Sequence, residues 1–189
     1  MGRFLGKLSS DAYGVTVNEV KIGHFHIPAA QVVAPDTDGI LDGEAFPATA
    51  GTVRTFLAQP PCAMTLTAVA SGPQTGKIKI HGFDIGGNQI SEELTMDGAT
   101  AVAGSKAFAQ ITAIDLPVKV GSETLDVGWG DKFGLPYKLA ADELVIIKLF
   151  NGAADSGTVT NNADDLAKNV YDPNGTPNGE KALDFYILV

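Results

Sequence analysis

The sequence is poor in the residues on which disulfide, thiol and metal chemistry depend. Among its 189 residues there is one cysteine, Cys62, and there are three histidines. A single cysteine excludes an intrachain disulfide, and nothing around Cys62 is typical of an activated thiolate. We interpret it as a small hydrophobic residue in a strand. No apolar run approaches the roughly 20 residues of a membrane span, so no membrane partner is expected.

Positive charge is also scarce. Lys and Arg total 13 against 22 Asp and Glu, which gives a formal net charge of −9. Nucleic-acid binding needs cationic groups that face phosphates, so we expect no direct nucleic-acid partner. Residues 1–14 contain basic residues but no apolar core long enough for a secretory signal, which favours synthesis and folding in a cytoplasm.

The best-patterned part of the chain is residues 76–117. Apolar and polar residues alternate over residues 77–83, which is the period of a half-buried strand. Residues 84–88 then provide the Gly and Asn of a hairpin turn, and residues 89–96 alternate again. After a turn at Asp97-Gly98, a third strand is expected to end at Pro117. The pattern predicts a β-meander without catalytic groups.

Further short strands, separated by turn signals, account for most of the remaining chain. We predict them at residues 19–28, 31–34, 51–57, 63–70, 118–120, 123–129, 140–150 and 183–189. In the first of these, Val20, Ile22 and Phe25 are expected to face inward. The last is so β-prone that it must be paired inside a sheet or against a neighbouring subunit.

Many short strands with hardly any helix predict an all-β fold, either an antiparallel β-sandwich or a β-barrel-like domain. Residues 1–20 show no helical stripe and are predicted to form an extended N-terminal arm. Residues 21–189 are predicted to form a single β-rich domain. Within it, residues 151–181 are rich in Asn, Gly, Asp and Pro, which predicts a long polar loop with one helical turn near residues 163–168.

Two groups of side chains could be taken for metal ligands. His24 and His26 lie two residues apart on one strand face, but no third ligand is nearby and metal sites need three or four. Solvent-facing histidines are therefore favoured. A second group invites comparison with calcium loops, but Gly39 and Ile40 break the EF-hand order, which favours a solvated loop. The acids of this second group are Asp36, Asp38, Asp42 and Glu44.

The motifs of common enzyme classes are missing from the sequence. It contains no nucleophile elbow, phosphate loop or dinucleotide fingerprint. Glu92 and Glu93 are adjacent on a predicted strand and so point to opposite faces. The glycine-rich, aromatic residues 128–136 are interpreted as a structural turn that holds a buried aromatic. We therefore expect a non-enzymatic protein without cofactor or metal.

Four segments, taken together, resemble a family of small structural proteins of tailed bacteriophages and prophages. They are GKIKIHGFDIGGNQISEELTMDG, GSKAFAQITAIDLP, GDKFGLPYKL and YDPNGTPNGEKALDFYILV. The family is characterised by a V-x-G-x-D-x-x-G-N strand, an S-E-x-L/I strand, K-A-F and G-L-P-Y-K-L segments, and a P-x-G turn before the last strand. The likeness runs from about Gly76 to Val189, and its specificity lies in the co-occurrence of short elements. The residues before Gly51 depart from it.

The resemblance implies a virion component, most closely a head decoration protein on the outer surface of the mature phage head. Such a protein would be β-rich, often a homotrimer, with the major capsid protein as its partner. It would stabilise the shell by mass action, since it binds only the assembled form. An N-terminal arm and a β-prone C-terminal strand suit strand addition between subunits. The residues expected to make these contacts are Arg3, Phe4, Leu5, Tyr13, Phe185 and Tyr186.

Three other functions fit parts of the sequence. The chain could be another virion subunit, such as a tail-tube or head-fibre protein. It could be a carbohydrate-binding adhesive β-sandwich, with Trp129, Phe133 and Tyr137 as the platform. It could be a hydrolase, for which His24, His26 and the acids of residues 36–44 would be the place to look.

Overall fold

The fold is all-β and antiparallel, which confirms the predicted class. The structure is a computed structural model that describes residues 21–189, so the predicted arm at residues 1–20 lies outside the described residues. Across residues 21–189 there are fourteen strands, and the helical segments are three short 3₁₀ turns. The strands are β1 (Ile22–Ile27), β2 (Asp36–Ala45), β3 (Gly51–Val53), β4 (Met64–Ala70), β5 (Lys77–Phe83), β6 (Gln89–Thr95), β7 (Val102–Phe108), β8 (Gln110–Leu116), β9 (Thr124–Gly134), β10 (Val145–Phe150), β11 (Ala153–Ala154), β12 (Thr158–Thr160), β13 (Val170–Asp172) and β14 (Leu183–Leu188).

The strands form three sheets. The terminal sheet has the order β1-β14-β10-β11 and so joins the first and last strands. The central sheet has the order β12-β13-β9-β4-β7, and β2 pairs with β9 beside this path. The third sheet has the order β3-β8-β5-β6. Every strand pair is antiparallel.

β9 links the two largest hydrophobic clusters among residues 21–189, here called the first and second cores. Leu125 and Val127, near its start, pack in the first core with Ile78 and Ile80 of the third sheet. Phe133, near its end, packs in the second core with side chains of the terminal sheet. Because Leu125, Val127 and Phe133 are fully buried, each contributes on the order of 1.5–3 kcal/mol of hydrophobic free energy.

The second core holds the C-terminal strand in place. Leu183, Phe185 and Ile187 of β14 are fully buried and pack in one cluster with Met64 and Tyr171. The outward residues of β14 alternate with these inward ones. The prediction that this strand must be paired is confirmed, because it lies between β1 and β10.

The glycine-rich residues after Val127 are strand, not the turn that the sequence suggested. β9 continues to Gly134 without a break. A side chain at Gly128 would collide with the carbonyl oxygen of Asp36 in β2, and a Cβ at Gly130 would lie 2.9 Å from Thr65 Oγ1 in β4. Glycine is required at these positions because the neighbouring strands approach too closely for a side chain.

Residues 76–117 form the predicted hairpin but not a simple meander. β5 pairs with β6 along their whole length, and the Asp84 carboxylate holds their turn by accepting hydrogen bonds from the Gly86 and Asn88 backbone. The segment predicted as one third strand is two strands. β7 crosses to β4 of the central sheet, and β8 returns to pair with the other edge of β5.

Several predicted boundaries were wrong. The acidic segment predicted as a loop contains β2, whose Ile40 and Leu41 are buried. Residues 29–31 form a 3₁₀ turn just where a short strand was expected to begin. Residues 118–120 are not a strand, and β3 ends at Val53. The β2 error has a clear cause, because an amphipathic strand rich in Asp and Gly has a loop-like composition.

Residues 151–181 carry more structure than a loop. They include β11, β12, β13 and a 3₁₀ turn at Leu166–Lys168, close to the predicted helical turn. Three of their apolar side chains, those of Val159, Val170 and Tyr171, are buried. Asn169 is fully buried as well, and its side chain bonds the backbone of Leu139 and Asn162. Polar side chains therefore fix this segment to the domain.

Candidate interaction surface

The outer face of the terminal sheet, defined here as the solvent side of β1, β14 and β10, is the candidate interaction surface. Side chains alternate across a strand, and the inward residues of β14 lie in the second core. The outer face is therefore formed by the side chains that alternate with these inward residues. Its members are Ile22, His24, His26, Ile147, Leu149, Asp184, Tyr186 and Leu188.

Apolar side chains on this face are left open to solvent. Ile22 is 61% exposed and Ile147 is 43% exposed. A register irregularity between Val145 and Ile147 places Ile146 on the surface as well, so two adjacent isoleucines are exposed. Leu149 and Leu188 are half-buried beside them. This corrects the prediction that Ile22 faces inward, since the inward residues of β1 are Phe25 and Ile27.

A polar cluster crosses the same face. Asp184 Oδ1 accepts hydrogen bonds from His24 Nε2 at 2.9 Å and from His26 Nδ1 at 2.8 Å. The His24 ring also stacks on Tyr186, with ring centroids 4.8 Å apart. Partial burial raises the pKa of the Asp184 carboxyl, but the two histidines outweigh it and leave that pKa below its ordinary value.

The edge of the terminal sheet at β1 is open in the part of the chain that the structure describes. Lys21 and Val189 exchange two backbone hydrogen bonds. Antiparallel ladders alternate between bonded and non-bonded pairs, so Ile22, His24 and His26 direct their backbone N–H and C=O groups away from β14. Within residues 21–189, β14 is the only strand that pairs with β1. An open edge of this kind can accept an added strand.

The structure separates the predicted interaction residues. Tyr186 lies on the outer face, half-buried. Phe185 is fully buried and packs edge-on against Tyr171, with centroids 4.9 Å apart. Phe185 is therefore a core residue, which corrects its assignment as a contact residue. Arg3, Phe4, Leu5 and Tyr13 lie outside the described residues.

Residues that the sequence did not single out complete the face. Ile147 and Leu149 come from β10, and Leu188 from β14. The sequence nevertheless contained a feature that could have identified these residues, because β10 and β14 are nearly continuous apolar runs. Such runs are typical of strands that are buried on both faces. Here one face packs in the second core and the other is exposed.

The candidate metal ligands do not assemble into a metal site. Across residues 21–189, no group of three or more His, Cys, Asp or Glu side chains is arranged to hold a metal ion. The His24 and His26 rings lie 6.4 Å apart, on either side of Asp184. The acids of residues 36–44 lie on β2, in a different sheet. There a hydrogen bond with Asp36 and its negative charge raise the pKa of Asp38.

The three aromatic residues considered as a carbohydrate-binding platform do not form an exposed surface. Phe133 is fully buried. Trp129 is half-buried between the two cores, and its Nε1 donates to the Ala34 carbonyl oxygen at 3.1 Å. Tyr137 packs at the edge of the second core, against Gly23. These three aromatics are therefore structural.

Cys62 is also structural, although it does not lie in a strand. It precedes β4 and is half-buried against the second core. Burial raises the pKa of its thiol to about 12. The thiolate form is therefore negligible near neutral pH, which agrees with the reading of Cys62 as a small hydrophobic residue.

None of the helical segments in the described part of the chain has the length and apolar character that a membrane crossing requires. Comparisons with protein-family models, with curated proteins and with solved structures gave no match to this chain.

Proposed function

We propose that this protein is a non-enzymatic structural component of a phage virion, a decoration protein that binds the outer surface of the mature head and stabilises the shell. The observation that carries the proposal is the outer face of the terminal sheet. Two strands, β10 and β14, have the composition of strands covered on both sides, yet nothing within residues 21–189 covers one of these sides.

A capsid surface is a suitable cover for this face. Exposed isoleucines beside a partly buried tyrosine resemble the centre of a protein interface, where apolar and aromatic side chains are concentrated. The open edge of β1 adds backbone donors and acceptors that an extended segment can pair with. The net charge of −9 suits a position on the outside of a DNA-filled shell, away from the packaged phosphates.

We further propose a homotrimer as the functional unit. Three copies that bind together multiply weak individual contacts through avidity. Residues 1–20 enter the described structure at β1, next to the C-terminal Val189. The predicted contact residues Phe4 and Tyr13 precede this edge in the sequence. We propose that these residues contact a neighbouring copy or the major capsid protein.

Co-sedimentation with phage heads tests this function. Purified full-length protein is mixed with mature heads that lack it and, separately, with procapsids. We expect it to pellet with mature heads only and to raise their resistance to heat or chelation. Failure to bind mature heads, or equal binding to procapsids, would contradict the decoration assignment.

A further inference from the structure

A surface groove lies on the third sheet, on a different sheet from the candidate interaction surface. It has a volume of about 450 Å³, within the range of roughly 300–1,000 Å³ typical of small-molecule sites. It is formed by β5, β6 and the start of β8. The residues that line it are His81, Gly82, Phe83, Gln89, Ile90, Ser91 and Thr112.

An irregularity in the pairing of β5 with β8 shapes the groove. The register shifts between His81 and Gly82, so β8 has one residue more than β5 at this point. A side chain at Gly82 would collide with the Gln110 carbonyl oxygen. Glycine at this position therefore allows β8 to approach closely where the bulge sets Thr112 outward.

The polar groups of the groove can donate and accept hydrogen bonds. Asp115 Oδ2 accepts from His81 Nε2 at 2.8 Å, and Nδ1 of the same ring has no hydrogen-bond partner among residues 21–189. Thr112 donates its hydroxyl hydrogen to the His81 carbonyl oxygen and keeps acceptor capacity. The side chains of Gln89 and Ser91 have no hydrogen-bond partner among residues 21–189, so both are available to a ligand.

An aromatic ring lies at one end of this polar lining. Phe83 is half-buried, and its cross-strand neighbours are Gln89 on β6 and Gln110 on β8. An apolar ring flanked by amides offers one surface for C–H groups and two sets of amide donors and acceptors. Lys79 and its cross-strand neighbour Glu93 lie further along the strands, whereas the Asp115 carboxylate contacts the lining through His81.

We propose that this groove binds a neutral sugar unit. A pyranose ring has hydroxyl groups that both donate and accept, which matches Gln89, Ser91, Thr112 and His81. It also has an apolar C–H face that can pack on the Phe83 ring. The Asp115 carboxylate beside His81 disfavours anionic ligands. This site is independent of the proposed capsid contact, because the two lie on different sheets.

Titration of the full-length protein with neutral sugars, followed by ¹H–¹⁵N NMR, tests the proposal. The panel contains glucose, galactose, mannose and N-acetylglucosamine, each as the free sugar and as the methyl glycoside, the form in which a polysaccharide presents it. We expect at least one sugar to shift the amide signals of residues 82–83, 89–91 and 112. No shift with any sugar, or shifts confined to other residues, would overturn the proposal.

Matched variants show whether the groove itself is responsible. Gln89→Ala and Ser91→Ala remove groove contacts, and we expect each to weaken sugar binding by about tenfold. Thr95→Ala is the control, since Thr95 lies on the same strand and the same face but outside the groove. If Gln89→Ala and Ser91→Ala bind as Thr95→Ala does, the groove is not the sugar site. That failure would leave the capsid proposal untouched.

Discussion

At the residue scale, Tyr171 shows how a single polar contact anchors a long polar segment. Its ring is fully buried against Phe185, and its hydroxyl donates to the Asp155 carboxylate. The same carboxylate accepts from the Asn174 backbone at 3.1 Å. Burial and the bond to Asp155 raise the pKa of Tyr171. The hydroxyl is therefore protonated, and can donate, near neutral pH.

Tyr171→Phe should destabilise the fold by about 1–2 kcal/mol, because it removes a hydrogen bond to a charged acceptor and keeps the ring. Urea unfolding measures the change. Tyr186→Phe is the control, since the Tyr186 hydroxyl has no partner among residues 21–189, and we expect a change below about 0.5 kcal/mol. Equal losses in the two variants would show that the Asp155 bond contributes nothing.

The acid stability of the fold should depend on Asp115 and Asp184. Hydrogen bonds from Thr52 and then His81 lower the pKa of Asp115 below its ordinary 3.8, and the two histidines of β1 lower that of Asp184. A carboxyl with a lowered pKa stabilises the fold above its ordinary pKa. This contribution is lost as the pH falls through the folded-state pKa.

We expect the double variant Asp115→Asn/Asp184→Asn to lose less free energy of unfolding than the parent when the pH is lowered from about 5 to about 2. Urea unfolding at each pH measures the loss. Asp38→Asn is a control of opposite sign. The pKa of Asp38 is raised, so this carboxyl stabilises the folded state more as the pH falls. Its removal should therefore make the loss of stability on acidification steeper. Parallel pH profiles for all three proteins would exclude a role for these carboxyls.

At the element scale, local signals predicted some strands well and misled about others. Regular alternation of apolar and polar residues sufficed for β4, β5 and β6, and more buried side chains alternate with less buried ones along much of these strands. It failed for β2 and for the second half of β9, where glycines serve close strand packing that only the tertiary structure reveals. The sequence also did not predict that β7 and β8 belong to different sheets, because the pairing partner of a strand cannot be read from the strand's own sequence.

One hairpin was predictable and was missed. Asn151 and Gly152 connect β10 to β11, and both have positive φ, +52° and +77°. Asn-Gly with this backbone is the preferred two-residue hairpin turn. The polar residues that follow Asn151 and Gly152 favoured a long loop, so the Asn-Gly turn was not recognised.

Gly152→Ala should destabilise the protein by about 1 kcal/mol, because an alanine at φ +77° is strained. The free energy of unfolding in urea gives the value. Gly51→Ala provides the comparison, since its φ is ordinary and its nearest neighbour would be 3.6 Å from the new Cβ. We expect that variant to be neutral or slightly stabilised. A reversed order would contradict the turn assignment.

At the scale of the whole molecule, the central feature is the terminal sheet, whose outer face carries exposed apolar side chains that no other part of residues 21–189 covers. The sequence indicated the strength of β14 and its need for partners, and it identified Tyr186. It did not indicate that Phe185 faces the core, or that β1 and β10 flank β14, because neighbouring strands here are distant in sequence.

Ile22→Glu should weaken attachment to mature heads by tenfold or more, since it places a charge within the proposed interface. Val120→Glu adds the same charge at a residue of matched exposure, 63% against 61%, outside the terminal sheet. Both changes are at exposed sites, so thermal unfolding should shift little. Equal binding of the two variants in co-sedimentation would exclude this face from the contact.

A cryo-electron microscopy reconstruction of virions that carry this protein tests the central proposal most directly. We expect its density on the outer surface of the mature head, with β1, β10 and β14 turned toward a neighbouring copy or the capsid and Ile22 and Ile147 covered. Density confined to the tail, or density on the head with these isoleucines facing solvent, would contradict it.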